Sequence, residues 1–134
     1  MRPHITDTHS IIWHLSRSRK LSRRARQVFQ SADDGHTQIL VPTIVLVETA
    51  FVAQRQALPD DVVDWLFDLK QETAENYRLV PLDEQVVQFI RDFGPAAVPE
   101  MADRIIAATA RALDLPLLTA DSEIASSELV QIVW

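Results

Sequence analysis

Hydrophobic and polar positions along this chain follow two spacings. Short apolar runs such as "TQILVP" and "YRLVPL" have the length of buried strands, and the segments between them repeat apolar residues every three or four positions, as amphipathic helices do. The pattern predicts strands over 3–7, 38–41 and 116–120 and in "YRLVPL" and "LVQIVW", with helices over 9–16, 22–33, 43–56, 60–71, 83–93 and 102–114 and a short one after Asp121. Strands separated by helices need crossover connections, so we expect an α/β fold with a mainly parallel sheet and helices on both faces.

Polar residues mark several of the predicted helix starts. Ser22, Thr43 and Asp83 stand where an N-cap side chain would accept a backbone N–H. Asp60 and Asp61 follow Pro59 and bring negative charge to the positive end of the next helix. These signals support the predicted helix boundaries.

Composition narrows the possible classes of protein. A chain of 134 residues that is 47% hydrophobic and 24% charged predicts one globular domain over residues 1–134 with a substantial core. It has no cysteine, so disulfides and thiolate zinc sites are excluded, and its two glycines, Gly35 and Gly94, form no glycine-rich phosphate loop. The start "MRPHITD" does not resemble a signal peptide, and no apolar run reaches the roughly 18 residues of a membrane span. We therefore expect a cytoplasmic protein.

Positive charge is concentrated in one segment of a chain whose net charge is -6. The net charge argues against bulk attraction to nucleic acid, but six of the 13 basic residues lie in "RSRKLSRRAR" at 17–26. Such a cluster can direct a phosphate backbone to one place, and it is equally typical of a solvated loop and helix face. The candidate substrate-binding residues are Arg17, Arg19, Arg23, Arg24 and, two residues after Asp7, His9, for which a structural role at a helix start is the alternative.

Four acidic residues stand at unusual positions in the predicted fold. Asp7 ends the first strand and Asp121 follows the fourth, and the carboxyl ends of parallel strands form one edge of the sheet. Glu48 and Asp103 lie near the starts of two helices, on stripes that we predict to be apolar. Glu48 shares its stripe with Ile44, Phe51 and Val52; Asp103 shares one with Ile106, Ala107 and Ala110, opposite Arg104, Ala108 and Arg111.

Each of these acids alone has an ordinary explanation as a helix cap, a turn residue or the partner of an arginine. Together they would repel one another, by about 4 kcal/mol for two charges roughly 4 Å apart at an effective dielectric of about 20. A divalent cation removes that repulsion. Because the donors are all oxygen, with no histidine or cysteine cluster, the expected ion is Mg²⁺ or Mn²⁺.

Four segments, "DTHSIIW", "PTIVLVE", "PEMADRIIAATA" and "LLTADSEI", occur in the order and at the spacing of a known family. With them, nearly the whole chain resembles the PIN-domain ribonucleases, and more narrowly the VapC toxins of bacterial toxin-antitoxin pairs. The resemblance implies a five-stranded parallel sheet in the order 3-2-1-4-5 and a Mg²⁺- or Mn²⁺-dependent endoribonuclease. Asp7, Glu48, Asp103 and Asp121 match the family's acidic quartet, and Thr119 matches the hydroxyl that supports it.

The resemblance also implies roles and partners. Asp7, Asp103 and Asp121 would hold the metal, Glu48 would bind or orient it, and the ion would activate water for attack on an RNA phosphodiester. The implied partners are the RNA substrate, a VapB-type antitoxin and a second copy of the chain in a homodimer. Apolar residues suited to an interface or to ordinary core are Val52, Leu58, Val62 and Trp65. The tryptophans Trp13, Trp65 and Trp134 are suited to base stacking, to the core or to an interface.

Other classes of protein fit the sequence less well. A receiver-type phosphoacceptor domain needs an acidic pair after the first strand and a lysine near the last, but the only lysines, Lys20 and Lys70, fall on or beside helices. A haloacid-dehalogenase-type phosphatase needs Asp-x-Asp, and Asp7 is followed by Thr8 and His9. The remaining alternative is a PIN-like RNA- or protein-binding module without turnover, which we would expect to lack one of the four acids.

Overall fold

The computed structural model of the protein describes residues 1–69 and 76–134. Within these ranges the strands β1 (His4–Thr6), β2 (Ile39–Pro42), β3 (Tyr77–Val80), β4 (Leu117–Leu118) and β5 (Ile132–Val133) form one sheet in the order β3-β2-β1-β4-β5. Every neighbouring pair is parallel, and Ile5 of β1 is in register with Leu40 on one side and Leu117 on the other. The predicted fold class and strand order are confirmed.

Helices connect the strands in the predicted order. In the described ranges they are α1 (Thr8–Leu15), α2 (Arg23–Asp33), α3 (Thr43–Arg55), α4 (Asp60–Phe67), α5 (Glu84–Ile90), α6 (Met101–Leu113) and α7 (Ser122–Ser126). Helix α4 ends at Phe67, earlier than predicted, and the last two residues of that prediction, 70 and 71, lie outside the described ranges. None of the described helices has the length and apolar character that a membrane crossing requires.

Two of the three predicted caps are confirmed. The Ser22 hydroxyl accepts a hydrogen bond from the Ala25 N–H at 3.1 Å, and an Asp83 carboxylate oxygen accepts one from the Val86 N–H at 3.0 Å. The prediction for Thr43 is wrong, because Thr43 is the first helical residue and its hydroxyl donates to the Val80 carbonyl at 2.9 Å. That bond ties the start of α3 to the end of β3.

The core is built around the central strands. All residues of β1, β2 and β4 are buried, as expected for a parallel sheet covered on both faces. Val52 and Val62 are also buried, which for both residues agrees with the core rather than the interface alternative. Leu58 and Trp65 are partly buried and pack against the core, as do Trp13 and Trp134.

Two helices differ from the predicted burial pattern. Phe51 of α3 is 60% exposed, so the stripe that carries Glu48 is apolar but not buried along its length. Ala108 of α6, placed on the outer side of the helix by its spacing, is fully buried. The reason is that α6 contacts α3, α5, α7 and β1 and is enclosed by them, so residues all round the helix from Ile105 to Ala110 are buried.

Candidate active site

Asp7 lies between β1 and α1 and is fixed by both of its carboxylate oxygens. Oδ1 accepts the Ser10 N–H at 2.9 Å, which makes Asp7 the N-cap of α1. Oδ2 accepts the hydroxyl of Thr119 at 2.5 Å. The backbone N–H of Asp7 donates to the Leu118 carbonyl at 3.1 Å, so the carboxylate is attached to the ends of two neighbouring strands.

The surroundings of Asp7 act on its pKa in opposite directions. Burial raises the pKa of the carboxyl, whereas the hydrogen bonds from Ser10 and Thr119 and the positive charge of His9 lower it, and burial prevails. His9 itself is exposed on the first turn of α1, with its ring centroid 5.6 Å from that of Trp13. Because burial disfavours the charged form of Asp7, any further positive charge nearby would stabilise its carboxylate.

Glu48 reaches the site from α3. Its Oε1 accepts a hydrogen bond from the Thr8 hydroxyl at 2.5 Å, and Thr8 is the first residue of α1 and only 3% exposed. Helices α1 and α3 are in contact. Thr8, the residue that follows Asp7, is therefore hydrogen-bonded to Glu48.

Asp121 follows β4 and caps α7. One carboxylate oxygen accepts the N–H groups of Glu123 at 2.8 Å and Ile124 at 3.1 Å. Its own N–H donates to the Thr119 hydroxyl oxygen at 3.1 Å, while that hydroxyl donates to Asp7. Thr119, itself 1% exposed, thus connects the two aspartates at adjacent strand ends.

Asp103, in the first turn of α6, carries the electrostatic evidence that the acids are close together. Its pKa is raised to about 7, first by burial and then by the charge of Asp121, by a hydrogen bond between the two side chains, and by the charges of Glu48 and Glu100. A carboxyl with this pKa takes up a proton near neutral pH, when no cation offsets the neighbouring charge.

The donors in this cluster fit a hard divalent cation by their chemistry, since all are carboxylate or hydroxyl oxygens. In residues 1–69 and 76–134 no three acidic or imidazole groups already stand close enough to hold an ion. Asp7, Glu48 and Asp121 are instead hydrogen-bonded to hydroxyl or N–H groups. The accepting oxygens of Asp7 and Glu48 each keep a second lone pair, whereas Oδ1 of Asp121 already accepts two N–H groups.

The candidate arginines are not brought to the acidic cluster. All four, Arg17, Arg19, Arg23 and Arg24, are exposed. Asp7 caps the start of α1, the helix spans about 12 Å, and the basic segment begins only after its far end. Arg24 is near enough to His4, the first residue of β1, for its charge to help lower the pKa of that imidazole.

A groove of about 640 Å³ lies beside the basic segment. It is lined by aromatic and basic side chains from α1, α2, α4 and the loop after α1, among them Trp13, Arg17, Arg19, Arg26 and Trp65. Sequence reasoning did not predict this groove, nor the parts that Thr8 and Ser10 play at the acidic cluster. The only sequence signal for the latter is the run of polar residues in "DTHS".

Comparisons with known proteins agree with the fold. The PIN domain family model matches residues 5–127. A comparison with curated protein sequences gave no match. Among solved structures, VapBC2 from Rickettsia felis bound to a promoter DNA fragment matches with a TM-score of 0.70 and 12% identity, covering 98% of this chain and 97% of the other.

Two further structures are similar. DNA-bound VapBC from Salmonella typhimurium has a TM-score of 0.69 and 15% identity over 98% of this chain and 97% of the other. FitAcB from Neisseria gonorrhoeae has a TM-score of 0.63 and 22% identity over 98% and 96%. At these identities the likeness is one of fold. The PIN domain family model spans most of the sequence, and its match agrees with the observed sheet order. The chain therefore belongs to the PIN domain family.

Proposed function

We propose that this chain is a Mg²⁺- or Mn²⁺-dependent endoribonuclease that acts as the toxin of a toxin-antitoxin pair, with residues 1–134 working as a single PIN domain. The observation that carries the proposal is the raised pKa of Asp103, which burial and the charges of Asp121 and Glu48 bring to about 7. Carboxylates gathered at the ends of parallel strands suit metal-assisted phosphodiester hydrolysis, the chemistry of PIN-family nucleases.

In this proposal Asp7, Asp103 and Asp121 hold the cation and Glu48 holds or orients it. When bound, the ion supplies an activated water for attack on the phosphorus and neutralises the charge that develops there. The roles of the neighbouring groups follow from their hydrogen bonds. Thr119 fixes the carboxylate of Asp7, and the Ser10 N–H fixes its other oxygen.

The protonation of Asp103 has a consequence for the same chemistry. A proton held by Asp103 near neutral pH competes with the cation for the carboxylate, because both neutralise the same charge. Cleavage should therefore increase with pH through the range near 7, as Asp103 loses its proton.

The proposed partners are an RNA substrate, a VapB-type antitoxin that blocks the acidic cluster, and a second copy of the chain. The VapBC structures with the same fold support an antitoxin partner for this chain. The basic segment at 17–26 carries five exposed arginines and would border the RNA path or meet acidic residues of the antitoxin.

The test is RNA cleavage by the purified protein with Mg²⁺ or Mn²⁺, compared with the variant Asp7→Asn. Asparagine is as good an N-cap as aspartate, so the variant should keep its fold while losing the charge and nearly all activity. The matched control is Asp83→Asn, which changes the N-cap of α5 in the same way and should leave cleavage unchanged. Full activity in Asp7→Asn would contradict the assignment, and RNA binding without cleavage by the wild type at any metal concentration would favour a binding module.

A further inference from the structure

We propose that Thr8 is a positioning residue that fixes Glu48 in the acidic cluster, an inference that rests on the proposed function. Thr8 donates a 2.5 Å hydrogen bond to Oε1 of Glu48 across the contact between α1 and α3. At 3% exposure the hydroxyl is shielded from water, so Glu48 is its partner in place of solvent. A hydrogen bond to a carboxylate in such a setting is among the stronger ones in proteins.

Glu48 needs such a partner because its neighbours repel it. Its charge contributes to the raised pKa of Asp103, as does that of Asp121, so Glu48 and Asp121 both lie within electrostatic reach of Asp103. Two ion pairs are present among the described residues, His14–Asp33 and Arg111–Asp92, and neither includes Glu48. Without the hydroxyl, the flexible side chain would turn away from the other acids toward water, a motion that the partly exposed position of Glu48 permits.

The position of Thr8 makes the arrangement rigid. Thr8 directly follows Asp7, which caps the same helix, so one helical turn places the carboxylate of Asp7 and holds that of Glu48. The hydrogen bond uses Oε1 and leaves Oε2 of Glu48 available to a ligand. Thr8 thereby sets the position of a charged group on another helix without contacting RNA or metal itself.

The experiment measures the dissociation constant of the protein for Mn²⁺ by calorimetry, with the melting temperature recorded for every variant. Thr8→Val keeps the shape and removes the hydroxyl, and we expect about tenfold weaker binding, the loss typical when the partner of a metal ligand is removed. Thr8→Ser restores the hydroxyl and should restore the affinity. The matched control is Thr49→Val, since the buried hydroxyl of Thr49 donates only to the Val45 carbonyl within α3.

A double variant tests whether Thr8 acts through Glu48. On a Glu48→Gln background, Thr8→Val should weaken Mn²⁺ binding no further, because the carboxylate that the hydroxyl positions is gone. Additive losses, or wild-type affinity in Thr8→Val, would overturn the inference. If Thr8→Val is unfolded at the assay temperature, Thr8→Ala is judged by the same criteria.

The wild type and Asp7→Asn, measured alongside, separate this inference from the proposed function. In one outcome, the wild type binds Mn²⁺ and cleaves RNA, and Asp7→Asn abolishes both. Wild-type Mn²⁺ affinity in Thr8→Val would then refute only the role of Thr8. A wild type that neither binds Mn²⁺ nor cleaves RNA would refute both.

Discussion

Thr119 donates a hydrogen bond to Asp7, although 112 positions separate the two residues in the sequence. The bond joins the ends of the adjacent strands β1 and β4, and the Thr119 oxygen in turn accepts the N–H of Asp121. One buried hydroxyl therefore sets the positions of two carboxylates, which makes Thr119 the most direct place to test whether the geometry of the cluster matters.

Replacing Thr119 with valine should lower the rate of RNA cleavage by about 10- to 100-fold, the range typical for groups that orient metal ligands. Valine fills the same space, so the loss arises from the missing hydrogen bond to Asp7. Thr109→Val is the control, because the buried hydroxyl of Thr109 donates only to the Ile105 carbonyl in α6. Equal activities of the two variants would show that the hydroxyl of Thr119 does not support the site.

Removing the charge of Asp103 should stabilise the metal-free protein in a pH-dependent way. The pKa of Asp103 is raised from the usual 3.8 to about 7, so between these values the folded state binds more protons than the unfolded state. Stability from this group is therefore lost as pH rises through that range. In chelator, Asp103→Asn should be more stable than the wild type by about 1–2 kcal/mol at pH 8, a figure discounted for partial solvent exposure, and equal to it at pH 4.

Urea unfolding of both proteins at pH 4, 6 and 8 measures this difference. If the difference in the free energy of unfolding between wild type and Asp103→Asn is the same at all three pH values, the neighbours of Asp103 do not shift the pKa of its carboxyl.

Mg²⁺ or Mn²⁺ should raise the melting temperature of the wild type, because a ligand that binds only the folded state stabilises it by about 2.7 kcal/mol at one hundred times its dissociation constant. The rise should be much smaller in Asp7→Asn and Asp103→Asn, which each remove one proposed ligand. Potassium chloride at the same ionic strength controls for general screening. A rise of the same size in all three proteins would place the binding elsewhere.

The basic segment should contribute to RNA affinity through charge alone. Arg23 and Arg24 are exposed on the first turn of α2, so replacing both with alanine should leave the fold intact. On the inactive Asp7→Asn background, the slope of log affinity against log salt should fall by about 0.7 for each phosphate that the protein no longer neutralises. Arg55→Ala, at the exposed end of α3, is the control. An unchanged slope would exclude these arginines from the RNA path.

The sequence predicted that Asp7 and Asp121 lie at one edge of the sheet because the signals for their positions are local. Asp7 and Asp121 each follow a short apolar strand directly, and a parallel sheet brings such strand ends together whatever the details of packing. The strand order itself came from the likeness to a family, since alternating strands and helices are compatible with several orders.

The hydrogen bonds that the sequence did not predict depend on how helices pack. Thr8 and Glu48 are 40 residues apart, and only the approach of α1 to α3 makes them partners. Periodicity likewise placed Phe51 and Val52 on one stripe, but the core reaches only Val52. The helical period gives the angle of a residue around the helix axis. It does not show how far along the helix the neighbouring element extends, and so it does not show which residues are buried.

The first turn of α1 also bears on where the chain tolerates extra residues. Most strand-to-helix connections lie at the surface and accept insertions, because the backbone there has few obligatory partners. Here Asp7, Thr8 and Ser10 bond to β4, α3 and one another within four consecutive positions. A single residue inserted between β1 and α1 would break several of these bonds at once, so peptide tags and grafted loops belong at other connections.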